Sequence, residues 1–320
     1  MVTRLPLFLG GAVLAISVSV LGSACSSTSA PANAGADAAT PAELDAGAAA
    51  PDAAPDPLVE ARPYDVHVPN GYDAAKPSAL VLAFHGYGDG DNGKLLESYF
   101  KLTKVSDAEG FLYVTPNGTK DSTGQQFWNG TNACCDFDLK GTDDVGYVRA
   151  LVADVAKHFA LDPKRVFAVG LSGGAVFVHR LACDAPDLFA AVISVSGATW
   201  KDDTKCKPKE GISLVELHGD SDDTVLYAGG ELQGVTYPSA KDTVAHWAGH
   251  DGCTGGLVPG GAALDLVPSL AGAETIVEHY DGCAKGAVEL WTVKGGVHAP
   301  PFGPTFGPAL WTFFAAHPKP

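Results

Sequence analysis

Basic side chains are scarce in this 320-residue chain: 21 Lys and Arg against 37 Asp and Glu give a formal net charge of −16. That balance argues against nucleic acid as a partner, because a polyanion is held by clustered cations that release its counterions. No set of Cys and His has zinc spacing, so no metal is expected. Internal repeats are absent. Large apolar side chains are nearly missing from residues 26–57, which are almost all Ala, Pro, Asp, Ser, Gly and Thr, with Leu44 the exception. Such a stretch buries too little surface to offset its ordering entropy and reads as a disordered, acidic tether. A long apolar run occurs only at the start: Arg4 leads into Leu5–Leu21, followed by Gly22-Ser23-Ala24-Cys25. A charged beginning, an apolar middle and small residues at the end describe an export signal rather than a membrane span.

Cys25 stands where a bacterial lipoprotein signal is cut and lipidated, although Leu21 lies four residues before it rather than the usual three. Cleavage after Ala24 by the ordinary signal peptidase is the rival. Removing Cys25 leaves six cysteines, Cys134, Cys135, Cys183, Cys206, Cys253 and Cys283, an even number that suits disulfides in an exported chain. The expectation is a signal over 1–24, a tether over 25–61 and a catalytic domain over 62–320. The product is exported, as an extracellular or cell-envelope lipoprotein of a bacterium, with possible membrane anchoring through Cys25 and otherwise a monomer.

What is present in abundance is apolar sequence, 46% of the chain, enough for a large core. Tyr64–Val68 alternates and reads as an edge strand, whereas Ala79–Phe84 is continuously apolar, as in a strand buried on both faces. Further runs are Phe111–Thr115, Val166–Val169, Ala190–Val195, Ser213–Leu217 and Val288–Val293. Helical patterns lie between them. Val148, Val152, Val155 and Phe159 share one face, with Asp143 or Asp144 as N-cap. Strands alternating with helices imply an α/β fold, a mostly parallel sheet covered on both sides.

One of these strands ends in Gly170-Leu171-Ser172-Gly173-Gly174, and the helix-like Val176–Cys183 follows. Strand, Gly-x-Ser-x-Gly, helix is the context of a nucleophile elbow, where glycines permit a turn sharp enough to expose the serine. Such a serine needs a base, an orienting acid and oxyanion donors. In α/β-hydrolases the acid and histidine follow the serine in that order, on loops after later strands. Ser213–Leu217 runs into Asp220, Asp222 and Asp223, among which pattern alone does not choose; Val288–Val293 runs into Gly295-Gly296-Val297-His298. Of ten histidines, only His298 sits just past a late strand in a Gly/Pro-rich loop. Oxyanion donors are expected from the backbone N–H groups of Tyr87 and Gly173. His85 precedes the serine and reads as a hydrogen bonder that shapes the loop.

The chain resembles the polyhydroxybutyrate depolymerase-like esterases, a group that includes feruloyl and acetylxylan esterases. The blocks that carry the likeness are Leu82–Gly86, Pro116-Asn117-Gly118, Trp128-Asn129 with Cys134-Cys135, Asp143–Tyr147, Gly170–Gly174, Leu181-Ala182-Cys183, His218–Val225 and Gly295–His298. The family pattern His-Gly-x-x-Asp-x-x-Val falls on His218, Gly219, Asp222 and Val225, and so implies Asp222 as the acid. The resemblance implies an α/β-hydrolase serine esterase acting on a polyester or on feruloyl or acetyl esters of plant polysaccharide. No metal or organic cofactor is expected, and the partner is a polymeric or small ester. A peptidase using the same triad and a non-catalytic polymer binder are the alternatives.

Two departures, Gly173 where many members have Asn and Ala299-Pro300-Pro301 where they have Trp-Pro-Gly, lie beside the site, so substrate preference does not carry over. Trp128, Trp200 and Phe302 are candidates for the substrate surface. Cys253 and Cys283 bracket a Gly/Pro-rich stretch expected to hold little regular structure; similar esterases carry a cysteine pair in this region, which implies a bridge between the two. The other four are expected to pair Cys134 and Cys135 with Cys183 and Cys206, ring strain disfavouring a bond between neighbours.

Overall fold

The apolar runs become strands, and their neighbours in space follow from which faces they must hide. In this computed structural model, which describes residues 56–88 and 92–320, strands form at Val66–His67 (β1), Ser78–Phe84 (β2), Leu112–Val114 (β3), Thr119–Lys120 (β4), Gln126–Phe127 (β5), Leu161–Leu171 (β6) and Ala191–Val195 (β7). They continue with Ser213–Gly219 (β8), Gly230–Leu232 (β9), Val235–Tyr237 (β10), Leu257–Pro259 (β11), Thr275–Tyr280 (β12) and Val288–Val293 (β13). Helices are Pro57–Ala61 (α1), Asn92–Phe100 (α2), Leu102–Glu109 (α3), Asp144–His158 (α4), Gly173–Asp184 (α5), Ala240–His250 (α6) and Phe306–Ala316 (α7). The export signal, Cys25 and the tether through residue 55 lie outside the described residues.

Nine strands join one sheet in the order β1-β3-β2-β6-β7-β8-β13-β12-β11. From β3 to β13 every pairing is parallel. The edges are antiparallel, β1 on β3 at one side and β12 and β11 at the other. Along β2, Leu80, Leu82 and Phe84 enter one buried cluster while Ala79, Val81 and Ala83 enter the other. A strand sealed on both faces needs apolar residues at every position, which is why it reads as an unbroken run. The first cluster is closed by α4, α5 and α6 through Val148, Phe177 and Val244, the second by α2 and α7 through Leu96 and Phe314. Each such side chain contributes about 1.5–3 kcal/mol on leaving water. Asp143 caps α4, its carboxylate accepting the Gly146 N–H, and Phe159 ends the helix.

Three expectations change. The last residues of the stretch expected as tether form α1, with Asp56 accepting the Leu58 N–H, Val59 buried and Arg62 paired with Asp144. The segment between Cys253 and Cys283, which reads as poor in structure, supplies β11 and β12. Its outer positions stay wet (Ile276 is exposed), so its pattern lacks the apolar density of the central strands. The cysteine pairing also differs. Cys134 and Cys135 bond each other across a cis peptide bond, their Cα atoms 3.0 Å apart. Cys183, at the C-terminal end of α5, then meets Cys206 at 5.6 Å between Cα atoms. The Cys253–Cys283 bridge is present.

Candidate active site

At the C-terminal ends of the parallel strands, β6 gives way to α5 in a turn that only small residues permit. Ser172 sits between them at φ 56° and ψ −118°, a backbone state that costs a non-glycine residue about 1–3 kcal/mol. The surroundings hold it there: its N–H donates to Val195 O at 2.9 Å, and its carbonyl accepts the Val176 N–H at 2.9 Å. A Cβ on Gly174 would come within 2.6 Å of His85 O, so α5 can approach the end of β2 this closely only without a side chain there.

Two later loops converge on this serine. The first follows β8 and carries Asp222, whose Oδ1 accepts the N–H groups of Thr224 (2.8 Å) and Val225 (2.9 Å). The second follows β13 and carries His298. Its Nδ1 is 2.8 Å from Asp222 Oδ2 and its Nε2 is 2.8 Å from Ser172 Oγ. Ser196 Oγ donates to His298 O at 2.7 Å and pins the loop. Asp220 does something else: it accepts the Gly295 N–H at 2.6 Å and pairs with Lys294, lacing the two loops together. Asp223 is exposed and reaches only Thr224. Of the three carboxylates, Asp222 alone touches the histidine. Burial by itself would raise its pKa; hydrogen bonds from His218, His298 and Thr224 outweigh that and hold it well below the usual carboxylate range.

The loop after β2 borders the serine on the other side. A Cβ on Gly173 would lie 3.1 Å from Tyr87 N, which places those two backbone segments against each other. Gly173 opens α5, so its N–H has no partner within the helix. His85 is turned away from the serine. Its Nε2 accepts the Gly118 N–H (2.9 Å), which leaves its proton on Nδ1 for Gly86 O (2.7 Å). It braces the loop.

Ser172 and His298 open into a cavity of about 410 Å³. Its walls are Tyr87, Phe137, Leu171, Val176, Thr224, Val225, Leu232 and the Cys134–Cys135 pair, and among the described residues no Asp, Glu, Lys or Arg lines it. Trp128, Trp200 and Phe302 are not part of it. They are 0%, 7% and 7% exposed. Trp128 stacks on Phe177 and Phe302 on Phe306, both within the core, because broad apolar rings next to α5 and α7 gain more from burial than from a wet cleft. The aromatic residues at the cavity are Tyr87 and Phe137, edge to face at 5.3 Å. Phe137 was signalled only by its place two residues after the cysteine pair.

Known proteins share this chain's pattern. Feruloyl esterase B of Piromyces equi is 28% identical over 243 residues, 73% of this chain and 42% of that protein, so the chain spans under half of that relative's length. Probable feruloyl esterase C of Aspergillus flavus is 27% identical over 266 residues, 81% of this chain and 85% of that protein. The acetyl xylan esterase from Aspergillus awamori superposes with a TM-score of 0.54 at 17% identity, covering 78% of this chain and 92% of that one, which shows the same fold. The family model for the PHB depolymerase esterases matches residues 63–248, well over half of the chain and every strand from β1 to β10, and the chain belongs to that family.

Proposed function

We propose that this protein is a serine carboxylic-ester hydrolase. The observation that carries the reading is the continuous line Ser172 Oγ, His298, Asp222, with each contact at 2.8 Å and the serine at the elbow between β6 and α5. His298 Nε2 takes the Ser172 proton as Oγ attacks the ester carbonyl, then returns a proton to the departing alcohol. Asp222 keeps the histidine proton on Nδ1 and stabilises the imidazolium that forms. The N–H groups of Tyr87 and Gly173 receive the oxyanion. Water repeats the cycle on the acyl-enzyme. No step requires a metal or an organic cofactor.

An apolar, uncharged cavity suits an uncharged acyl group, either a hydroxyalkanoate unit of a polyester or a feruloyl or acetyl group on plant polysaccharide. Names of relatives favour the latter two. Three disulfides support export to an oxidising compartment, and mass analysis of the mature N-terminus distinguishes a lipidated Cys25 from cleavage after Ala24. The test of activity is hydrolysis of p-nitrophenyl acetate. Wild type is expected to turn over and Ser172→Ala to lose at least about 10⁴-fold in kcat with an unchanged circular dichroism spectrum. Equal rates would end the proposal. Methyl ferulate, acetylxylan and a hydroxybutyrate oligomer, compared by kcat/KM, then rank the substrates.

A further inference from the structure

Next to Asp222, polar side chains are packed where a core would ordinarily be apolar. His218 and Glu216 come from β8, His179 from α5 and Trp247 from α6, and all four are buried. They form a line. Trp247 Nε1 is 3.0 Å from His179 Nδ1, and His179 Nε2 is 3.1 Å from Glu216 Oε2. Glu216 Oε1 is 2.9 Å from His218 Nδ1, and His218 Nε2 is 3.2 Å from Asp222 Oδ2 and 2.7 Å from Val225 O.

The donors and acceptors fix most of the protons. An indole N–H only donates, so His179 Nδ1 accepts and its single proton sits on Nε2, given to Glu216. A carbonyl only accepts, so His218 Nε2 carries a proton for Val225 O and Asp222. Glu216 receives His179 at one oxygen and, at the other, the Gly197 N–H (3.3 Å) together with His218 Nδ1. The remaining proton lies between Glu216 Oε1 and His218 Nδ1; the donors already on Glu216 from His179 and Gly197 favour the carboxylate, with His218 protonated at both nitrogens. Burial works against that charge, but hydrogen bonds to Asp222 and Glu216 outweigh it and push His218 up to about 9. Glu216 is lowered, the hydrogen bonds of His179 and His218 outweighing its burial.

We infer that His218 and Glu216 are a positioning pair, a buried cation and its counter-anion that divide the charge of Asp222 between His218 and His298. The inference rests on the proposed triad. A cation 3.2 Å from Asp222 Oδ2 competes with His298 for the same oxygen, so Asp222 holds the His298 proton less tightly than an isolated carboxylate would. Among the described residues no other nearby group supplies this charge. The Tyr227 ring edge faces His218, but its hydroxyl is engaged with Thr292 Oγ1 at 2.8 Å. The Tyr237 hydroxyl accepts the Leu226 N–H, and Asp220 is paired with Lys294.

Glu216→Gln removes the anion that keeps His218 charged. In the full chain, with a neutral ester as substrate, the acid limb of kcat/KM is expected to move to higher pH by about one unit. Activity on that limb falls about tenfold, while the plateau above pH 8 stays within a few-fold of wild type. An unmoved acid limb, or a uniform loss at every pH, overturns the inference. Ser172→Ala is run beside it: if that variant is as active as wild type, the triad reading fails instead. A histidine-ring NMR titration of the wild-type chain needs no folded variant. A His218 ring that stays doubly protonated through pH 8 supports the pair, and a neutral ring at pH 7 rules it out.

Discussion

Ser172 is held in a strained conformation by two backbone hydrogen bonds, and two other loops bring His298 and, behind it, Asp222 to its hydroxyl. Asp222 and Asp220 make a sharp comparison at this scale. They are two residues apart on one loop, yet one contacts His298 and the other ties down Gly295. Asp222→Asn is expected to cost about 10⁴-fold in kcat by favouring the wrong imidazole tautomer, as for other orienting carboxylates of this type. Asp220→Asn loses only the lacing between loops and is expected to keep most of the rate. The measurement is kcat for both variants on one ester; a larger loss in Asp220→Asn would reverse the assignment. Ser172 and His298, the proposed nucleophile and base, stand out in the sequence because glycines and strand ends mark their loops. The choice among Asp220, Asp222 and Asp223 was not, since spacing alone cannot say which side chain turns inward, and only the family pattern pointed to Asp222. Glu216 and His218 left a signal that was not followed: a carboxylate in the middle of a buried strand must have a partner.

Between residue and molecule, strands and helices set how well those loops are placed. The histidine loop leaves β13, which lies between β8 and β12, and the Cys253–Cys283 bridge closes the segment that contains β11 and β12. Its span of 30 residues corresponds to roughly 3–4 kcal/mol on a loop-entropy estimate. The double variant Cys253→Ser/Cys283→Ser is expected to melt about 5–10 °C lower by calorimetry while the folded fraction retains activity at low temperature. An unchanged Tm would mean that β12 is held by its pairing to β13 alone. The central strands were legible as apolar runs because both of their faces are covered. The edge was not, because β12 is fully buried only at Thr275 and its Glu278 and His279 look like loop residues. The neighbouring pair Cys134 and Cys135 was misjudged for a related reason: intrinsic geometry disfavours bonding adjacent cysteines, and that preference gives way to the backbone at this turn.

Over the whole molecule the apolar residues divide into a core on each face of the sheet, and the large rings went to that core rather than to the cleft. Trp128, with its ring against Phe84 and Phe177, is a packing residue, whereas the sequence offered no way to separate it from a substrate contact. Charge is distributed differently. Among the described residues no charged side chain lines the cavity, yet the chain as a whole carries −16. Close to the mouth, Tyr87 donates to Asp121, and Asp136 and Asp138 flank Phe137, with Lys140 paired to Asp138 only, so the nearby surface is net acidic as well. A neutral ester meets no long-range force from this field, and an ester on an acidic polysaccharide is repelled. Salt screens such repulsion beyond about 10 Å at 0.1 M. Raising the ionic strength from about 0.02 to 0.3 M is therefore expected to increase kcat/KM several-fold for an ester carrying carboxylates remote from the scissile bond, mainly through faster association. The uncharged methyl ester of the same compound is expected to change little. The two substrates measured across that salt range decide the matter: a fall for the anionic ester would require a cationic contact at the mouth that the acidic rim does not provide.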